Sequence, residues 1–214
     1  MTLPFEVHPD PSAAARRVAG LITARMHAGA STVALSRGAE LLECLADEDV
    51  AWSQASVYQV DERVAPPGHE DRNLTQLAAS LPVGVIRPMP VEEPDLEAAA
   101  ARYAGELPGA LGLVHLGLGP DGHTASLFPS SPALDADPGL LVCLNEDPTG
   151  ANPHQRMTLT FSGIARARLA LFTVTGEEKQ AAMQAVYDGA DVPAARVVAD
   201  RVVWLVDRDA APRG

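Results

Sequence analysis

The chain has 214 residues, with 16 Lys and Arg against 28 Asp and Glu and a formal charge of −12. That balance argues against nucleic acid or an anionic membrane surface as the main partner, because both call for a basic footprint. With 47% hydrophobic and 21% charged residues, the composition is globular, and the length fits one α/β domain over 1–214 with a sizeable core.

The opening segment, MTLPFEVHPDPS, lacks a basic stretch followed by an apolar core, and no apolar run approaches the roughly 18 residues that span a bilayer. A cytoplasmic location is expected. Cys44 and Cys143 sit far apart in apolar segments and read as small buried hydrophobes, not as a disulfide framework or a metal cluster.

In chain order, short apolar runs at 31–36, 55–60, 111–118, 140–145, 169–174 and 202–206 read as buried strands. Between them, helical spacing covers 14–26, 41–46, 73–81, 95–107 and 177–187. This alternation predicts an α/β fold: a doubly wound, mostly parallel sheet with helices on both faces, Rossmann-like. Such sheets bind ligands outside the carboxyl ends of their strands, at a switch in strand order. The polar residues that end each run are therefore the candidates: Ser36, Arg37 and Gly38; Asp61, Glu62 and Arg63; Gly119 to His123; and Thr175, Gly176 and Lys179.

Three segments carry chemistry. Residues 117–129, GLGPDGHTASLFP, form a Gly-rich loop after a buried strand and display Asp121 and His123 two apart, where an imidazole is able to activate water. Residues 60–73, VDERVAPPGHEDRN, place three charges after an apolar strand and then a long, stiffened excursion containing His69, read as a solvated strand end able to cross a pocket mouth. Ser36-Arg37-Gly38 leads from a strand into a helix, where free backbone N–H groups favour an anion. Arg156 begins a β-like stretch in NPHQRMTLTF, and Lys179, the only Lys in the chain, opens the helix after TVTGEE. His115, inside an apolar run, reads as a hydrogen-bonded core histidine, His8 and His27 as exposed, and Asn73 as a helix N-cap.

Together these segments resemble the 6-phosphogluconolactonases, in the superfamily that also holds the glucosamine-6-phosphate deaminases. DGHTASLFP is the lactonase form of the signature, DERVAPPGHEDRN is similar to the lactonase DER…P…H…D-S-N segment, and NPHQRMT and TGEEK fall in the same order. The resemblance implies that His123 is the general base, that Asp121 orients it, and that Arg63 lies at the pocket. It also implies that Arg156 and Lys179 bind the sugar phosphate, with Ser36, Arg37, Gly38 and Asp61 lining the site. His69, Arg72 and His154 are secondary candidates for substrate contact. The implied partner is a small sugar phosphate lactone, with neither metal nor organic cofactor.

Two loops depart from that pattern. Where the family reads L-S-G-G-S-T-P, Leu35–Leu41 reads LSRGAEL, and D-S-N has become Asp71-Arg72-Asn73. Either Arg37 and Arg72 supply charge in place of the lost hydroxyls, or the phosphate site is degraded and the chain is a sugar-phosphate-binding paralogue with weak or altered activity. An amino-sugar-phosphate deaminase, with Asp61 moving the proton, is the remaining reading.

Overall fold

The computed structural model describes residues 5–50 and 52–213, so the first four residues of the opening segment lie outside it. A first strand, β1 (Phe5–His8), leads into α1 (Pro11–His27), which starts where the Asp10 carboxylate accepts the Ala13 N–H at 2.7 Å and Pro11 follows. That is a side-chain cap with a Pro that has no N–H to waste. Then come β2 (Thr32–Leu35), α2 (Ala39–Ala46), β3 (Ser56–Gln59), β4 (Asp61–Arg63), α3 (Asn73–Ser80), β5 (Ile86–Arg87) and α4 (Leu96–Glu106). The second half holds β6 (Leu113–Gly117), β7 (Val142–Asn145), β8 (Arg156–Leu159), α5 (Phe161–Ile164), β9 (Ala170–Val174), α6 (Gln180–Tyr187) and β10 (Val202–Asp207).

Seven strands form one parallel sheet in the order β1-β10-β9-β6-β2-β3-β5. The predicted α/β class holds, and so do helices on both faces. Strand residues alternate between two cores: Ala34, Val114, Phe172 and Trp204 on one face, Val33, Leu113, Leu171 and Leu205 on the other. Phe172 and Trp204 stack with centroids 3.8 Å apart. Among the described residues, no helix is long and apolar enough to cross a membrane.

Several expectations are corrected. The run at 140–145 does not join the main sheet; β7 pairs antiparallel with β8, and β8 with β4, in a separate three-stranded sheet. Strands β1 and β5, at the two edges, carry too short an apolar signal to be seen. The charged triplet Asp61-Glu62-Arg63 is no solvated strand end: all three are buried. His8 is also largely covered, its side chain 16% exposed.

The triplet is buried because Val60 belongs to both sheets. Its N–H donates to Leu35 O of β2, while its carbonyl accepts from Leu159 N at the end of β8. The chain thus passes from the large sheet into the small one without leaving the interior. Glu62, 0% exposed, is then satisfied from every side. Its carboxylate accepts the backbone N–H groups of Arg63, Asn73 and Leu74 at 2.7–2.8 Å and the Gln59 amide at 2.9 Å. Arg72 Nε stands 3.4 Å away as the counter-charge.

Glu62 therefore caps α3 from a distance. Asn73, expected as the N-cap, is instead the first helical residue; its amide turns inward and donates to Asp61 O at 2.8 Å and Asp61 Oδ1 at 2.9 Å. Removing Glu62 leaves the buried N–H groups of Arg63, Asn73 and Leu74 without their acceptor and takes from Arg72 one of its two carboxylates, so Glu62→Ala is expected to cost about 3–5 kcal/mol. The urea midpoint of unfolding checks this, and a shift equivalent to less than about 1 kcal/mol would contradict it.

Candidate active site

From β2 the chain winds outward to β3 and β5; from β6 it winds the other way to β9 and β10. The strand order thus switches between β2 and β6, and a cleft of about 390 Å³ opens at their carboxyl ends. This is where the geometry of an open α/β sheet leaves a crevice.

The loop after β6 enters this cleft in a conformation its residues dictate. Gly122 has φ +86° and Ala125 φ +50°, both in the left-handed region. The Asp121 carboxylate accepts from His123 Nδ1 at 2.6 Å and from the His123 N–H at 3.1 Å. A Cβ added at Gly119 would overlap the His123 ring and lie 2.6 Å from Asp121 Oδ1. Only Gly leaves room for the pair. Partial burial works to raise the Asp121 carboxyl, and the His123 ring and N–H overcome it, holding the group below its ordinary value.

With Nδ1 bonded to Asp121, the ring of His123 lines the cleft. The rest of the signature fastens the loop. Thr124 Oγ1 donates to Gly117 O at 2.9 Å, Ser126 Oγ donates to Asp61 Oδ2 at 2.7 Å, and the Phe128 ring lies 4.9 Å from the His123 ring.

Cations gather on the other walls. Arg37, Arg63 and Lys179 line the cleft with Ser36 and Asp61. Arg63 donates to Asp71 O. Arg156 lies opposite Arg63 in the β4–β8 ladder, 4% exposed, with its guanidinium 5.8 Å from the Phe128 centroid. Burial first, then the neighbouring Arg63 and Arg37 charges, push Arg156 down to about 10, against the pull of Asp61 and Asp71. Arg37 is lowered by burial and by Arg63, and Lys179 chiefly by burial.

The remaining candidates divide. Gly38 is the N-cap of α2 with no side-chain bond of its own, and with Ala39 and Glu40 it lines an adjoining recess of about 260 Å³ that shares Arg37, Gly117, Thr173 and Thr175 with the cleft. Arg72 points elsewhere, its Nη1 donating to Glu92 Oε1 at 2.7 Å and Ala65 O at 3.3 Å, so it adds no charge to the cleft lining. His69 and His154 meet at Asp71 outside the lining: His154 Nε2 is 2.9 Å from Asp71 Oδ2, and His69 Nδ1 accepts the Asp71 N–H at 3.2 Å. Their bonds to Asp71 account for the group, although spacing along the chain gave no hint that they converge.

Sequence reasoning missed Thr173 and Asn152, both of which line the cleft, and gave Asn73, which lines it too, first to the helix cap. Asn152 had a signal in DPTGAN: Asp147 accepts from Thr149 N at 2.8 Å and from the Asn152 side chain at 2.7 Å, an Asx-type turn. These bonds hold Asp147 at about 2 although partial burial pushes the other way.

A family model described as "Glucosamine-6-phosphate isomerases/6-phosphogluconolactonase" matches residues 9–204. A 6-phosphogluconolactonase of Mycobacterium tuberculosis is 35% identical over 246 aligned positions, covering 100% of this chain and 99% of its own. The crystal structure of the 6-phosphogluconolactonase from Thermotoga maritima superposes with a TM-score of 0.85 at 25% identity, over 96% of this chain and 100% of that one. The Trypanosoma brucei 6-phosphogluconolactonase gives 0.81 at 26%, over 98% and 97%.

Two outcomes follow from the loop geometry. Gly119→Ala is expected to expel the His123 ring, seen as loss of the low-field Nδ1 proton in an NMR spectrum whose other signals persist; retention of that proton would refute the packing argument. Asp147 stays ionised below the ordinary carboxylate range and protonates only as pH falls through about 2, so the turn that carries Asn152 should keep its amide-exchange protection down to about pH 3 and lose it in Asp147→Ala.

Proposed function

The chain belongs to the glucosamine-6-phosphate isomerase/6-phosphogluconolactonase family, and from that premise we propose that it hydrolyses 6-phospho-D-glucono-1,5-lactone to 6-phosphogluconate, a step of the oxidative pentose phosphate pathway. The observation that carries this reading is that the His123–Asp121 pair and the cations Arg37, Arg63 and Lys179 come to one cleft, whose lining His123 and all three cations share.

In this reading His123 Nε2 takes a proton from water as the oxygen attacks the lactone carbonyl. The imidazolium that forms is stabilised by the Asp121 carboxylate, which also fixes the tautomer. Negative charge develops on the carbonyl oxygen, and Arg63 is the cation available to meet it. Collapse of the tetrahedral intermediate breaks the ring C–O bond, and the proton held by His123 passes to the departing oxygen. No net proton is stored on the enzyme.

Arg37 and Lys179 hold the phosphate from the cleft lining, and Arg156, buried opposite Arg63 and absent from that lining, adds its charge to theirs. The phosphate is close to a dianion at neutral pH, and each charge-assisted hydrogen bond contributes about 1.5–3 kcal/mol. Binding at this remote group orients the carbonyl against the base. The deaminase reading loses ground because Asp61 is already bonded by Asn73 and Ser126, at 2.9 and 2.7 Å, and is not free to move a proton between carbons.

The test is hydrolysis of the lactone generated in situ, with the spontaneous opening subtracted. His123→Ala is expected to lower kcat by about 10²–10⁴. Lys179→Ala is expected to raise KM about ten- to a hundredfold for the phosphorylated lactone, the equivalent of one charge-assisted bond, while leaving hydrolysis of unphosphorylated gluconolactone unchanged. A rate equal to the blank, or full activity without His123, would overturn the proposal.

A further inference from the structure

His115 lies beneath the cleft on β6, 2% exposed, where the lactonase chemistry above does not use it. Its Nδ1 is 3.0 Å from Ser36 Oγ at the end of β2, and its Nε2 is 2.9 Å from Thr173 Oγ1 on β9. Both hydroxyl residues line the cleft, and His115 itself lines the recess beside the α2 N-terminus. One imidazole therefore bridges two walls of the site.

A neutral imidazole has one N–H and one bare nitrogen, and each hydroxyl has one proton. In the chain Ser36–His115–Thr173, one hydroxyl must accept from the ring and the other must donate to it. The accepting hydroxyl has its proton to give to a ligand, which at Ser36 means turning it from the Arg37 carbonyl 3.4 Å away; the donating one shows the cleft only lone pairs. The chain thus offers one donor and one acceptor, and the tautomer decides which wall carries which. A third arrangement, with an imidazolium and two free hydroxyl protons, is disfavoured because burial pushes His115 down to about 4.

We infer that His115 is a positioning residue whose tautomer sets which of Ser36 and Thr173 donates to an oxyanion in the cleft and leaves the other as an acceptor for a ligand hydroxyl. An oxyanion on Ser36 selects Nδ1–H, and Thr173 then donates to Nε2 and accepts from the ligand. The interchange conserves protons: one leaves a ring nitrogen to solvent as another arrives at the second, and both hydroxyls rotate. The matching ligand class carries an oxyanion and a free hydroxyl together, as a polyol phosphate does. This rests on the proposed function for its ligand but not for its test.

Long-range ¹⁵N–¹H spectra of labelled wild-type protein report the His115 tautomer without turnover. Adding 6-phosphogluconate is expected to leave one neutral tautomer dominant, Nδ1–H; an unchanged tautomer ratio, or an imidazolium pattern, would overturn the inference. His115→Phe, which keeps the bulk and removes both bonds, is expected to weaken 6-phosphogluconate binding about tenfold by calorimetry and to raise KM more than it lowers kcat. Unchanged affinity would also overturn it. A chain inactive on the lactone whose His115 still answers 6-phosphogluconate would defeat the lactonase reading and leave this one standing; an active chain with an unresponsive His115 would do the reverse.

Discussion

A carboxylate cut off from water has to be met by donors on all sides, and Glu62 imposes that requirement on the middle of the molecule. Three backbone N–H groups, an amide and a guanidinium converge on it. Because side chains alternate along a strand, sending Glu62 toward α3 turns its neighbours Asp61 and Arg63 the other way, into the cleft. The capping of α3, the inward turn of Asn73 and the placement of two site residues are one arrangement. The antiparallel pairing with β8 extends it, setting Arg156 directly opposite Arg63.

That arrangement concentrates positive charge in an acidic protein. Arg37, Arg63 and Arg156 repel one another, and burial lowers Arg156 to about 10. Asp61 offsets part of this from within the cleft, but its carboxylate is already bonded by Asn73 and Ser126. What remains of the repulsion is what a bound dianion would relieve. A formal charge of −12 does not oppose this strongly, since charges beyond about 8 Å are screened at physiological salt.

How much of this was legible in the residues depended on distance along the chain. The parallel sheet was readable because buried strands are continuous apolar runs such as LGLVHLGL, and the Gly-rich loop was readable because its turns need glycine. The small antiparallel sheet was not: its strands are four residues or fewer, one is wholly charged, and that one, β4, pairs with a strand more than 90 residues further along the chain. His115 was recognisable as a bonded core histidine, but its partners, Ser36 and Thr173, come from two other strands. Arg72 looked like a replacement cation because nothing local reveals that Glu62 and Glu92 claim it.

The two departures from the family pattern therefore have opposite outcomes. Arg72 replaces a serine and is absorbed into the scaffold, neutralising Glu62. Arg37 replaces a glycine and lines the cleft beside Ser36. Losing the hydroxyls at 39 and 40 removes directional donors at the α2 N-terminus, and a guanidinium at 37 restores charge without restoring that geometry. On the proposed reading, the phosphate is held less by a cradle of short side chains than by long-armed cations. The directionality that remains comes from Ser36, whose hydroxyl is bonded to His115 at 3.0 Å.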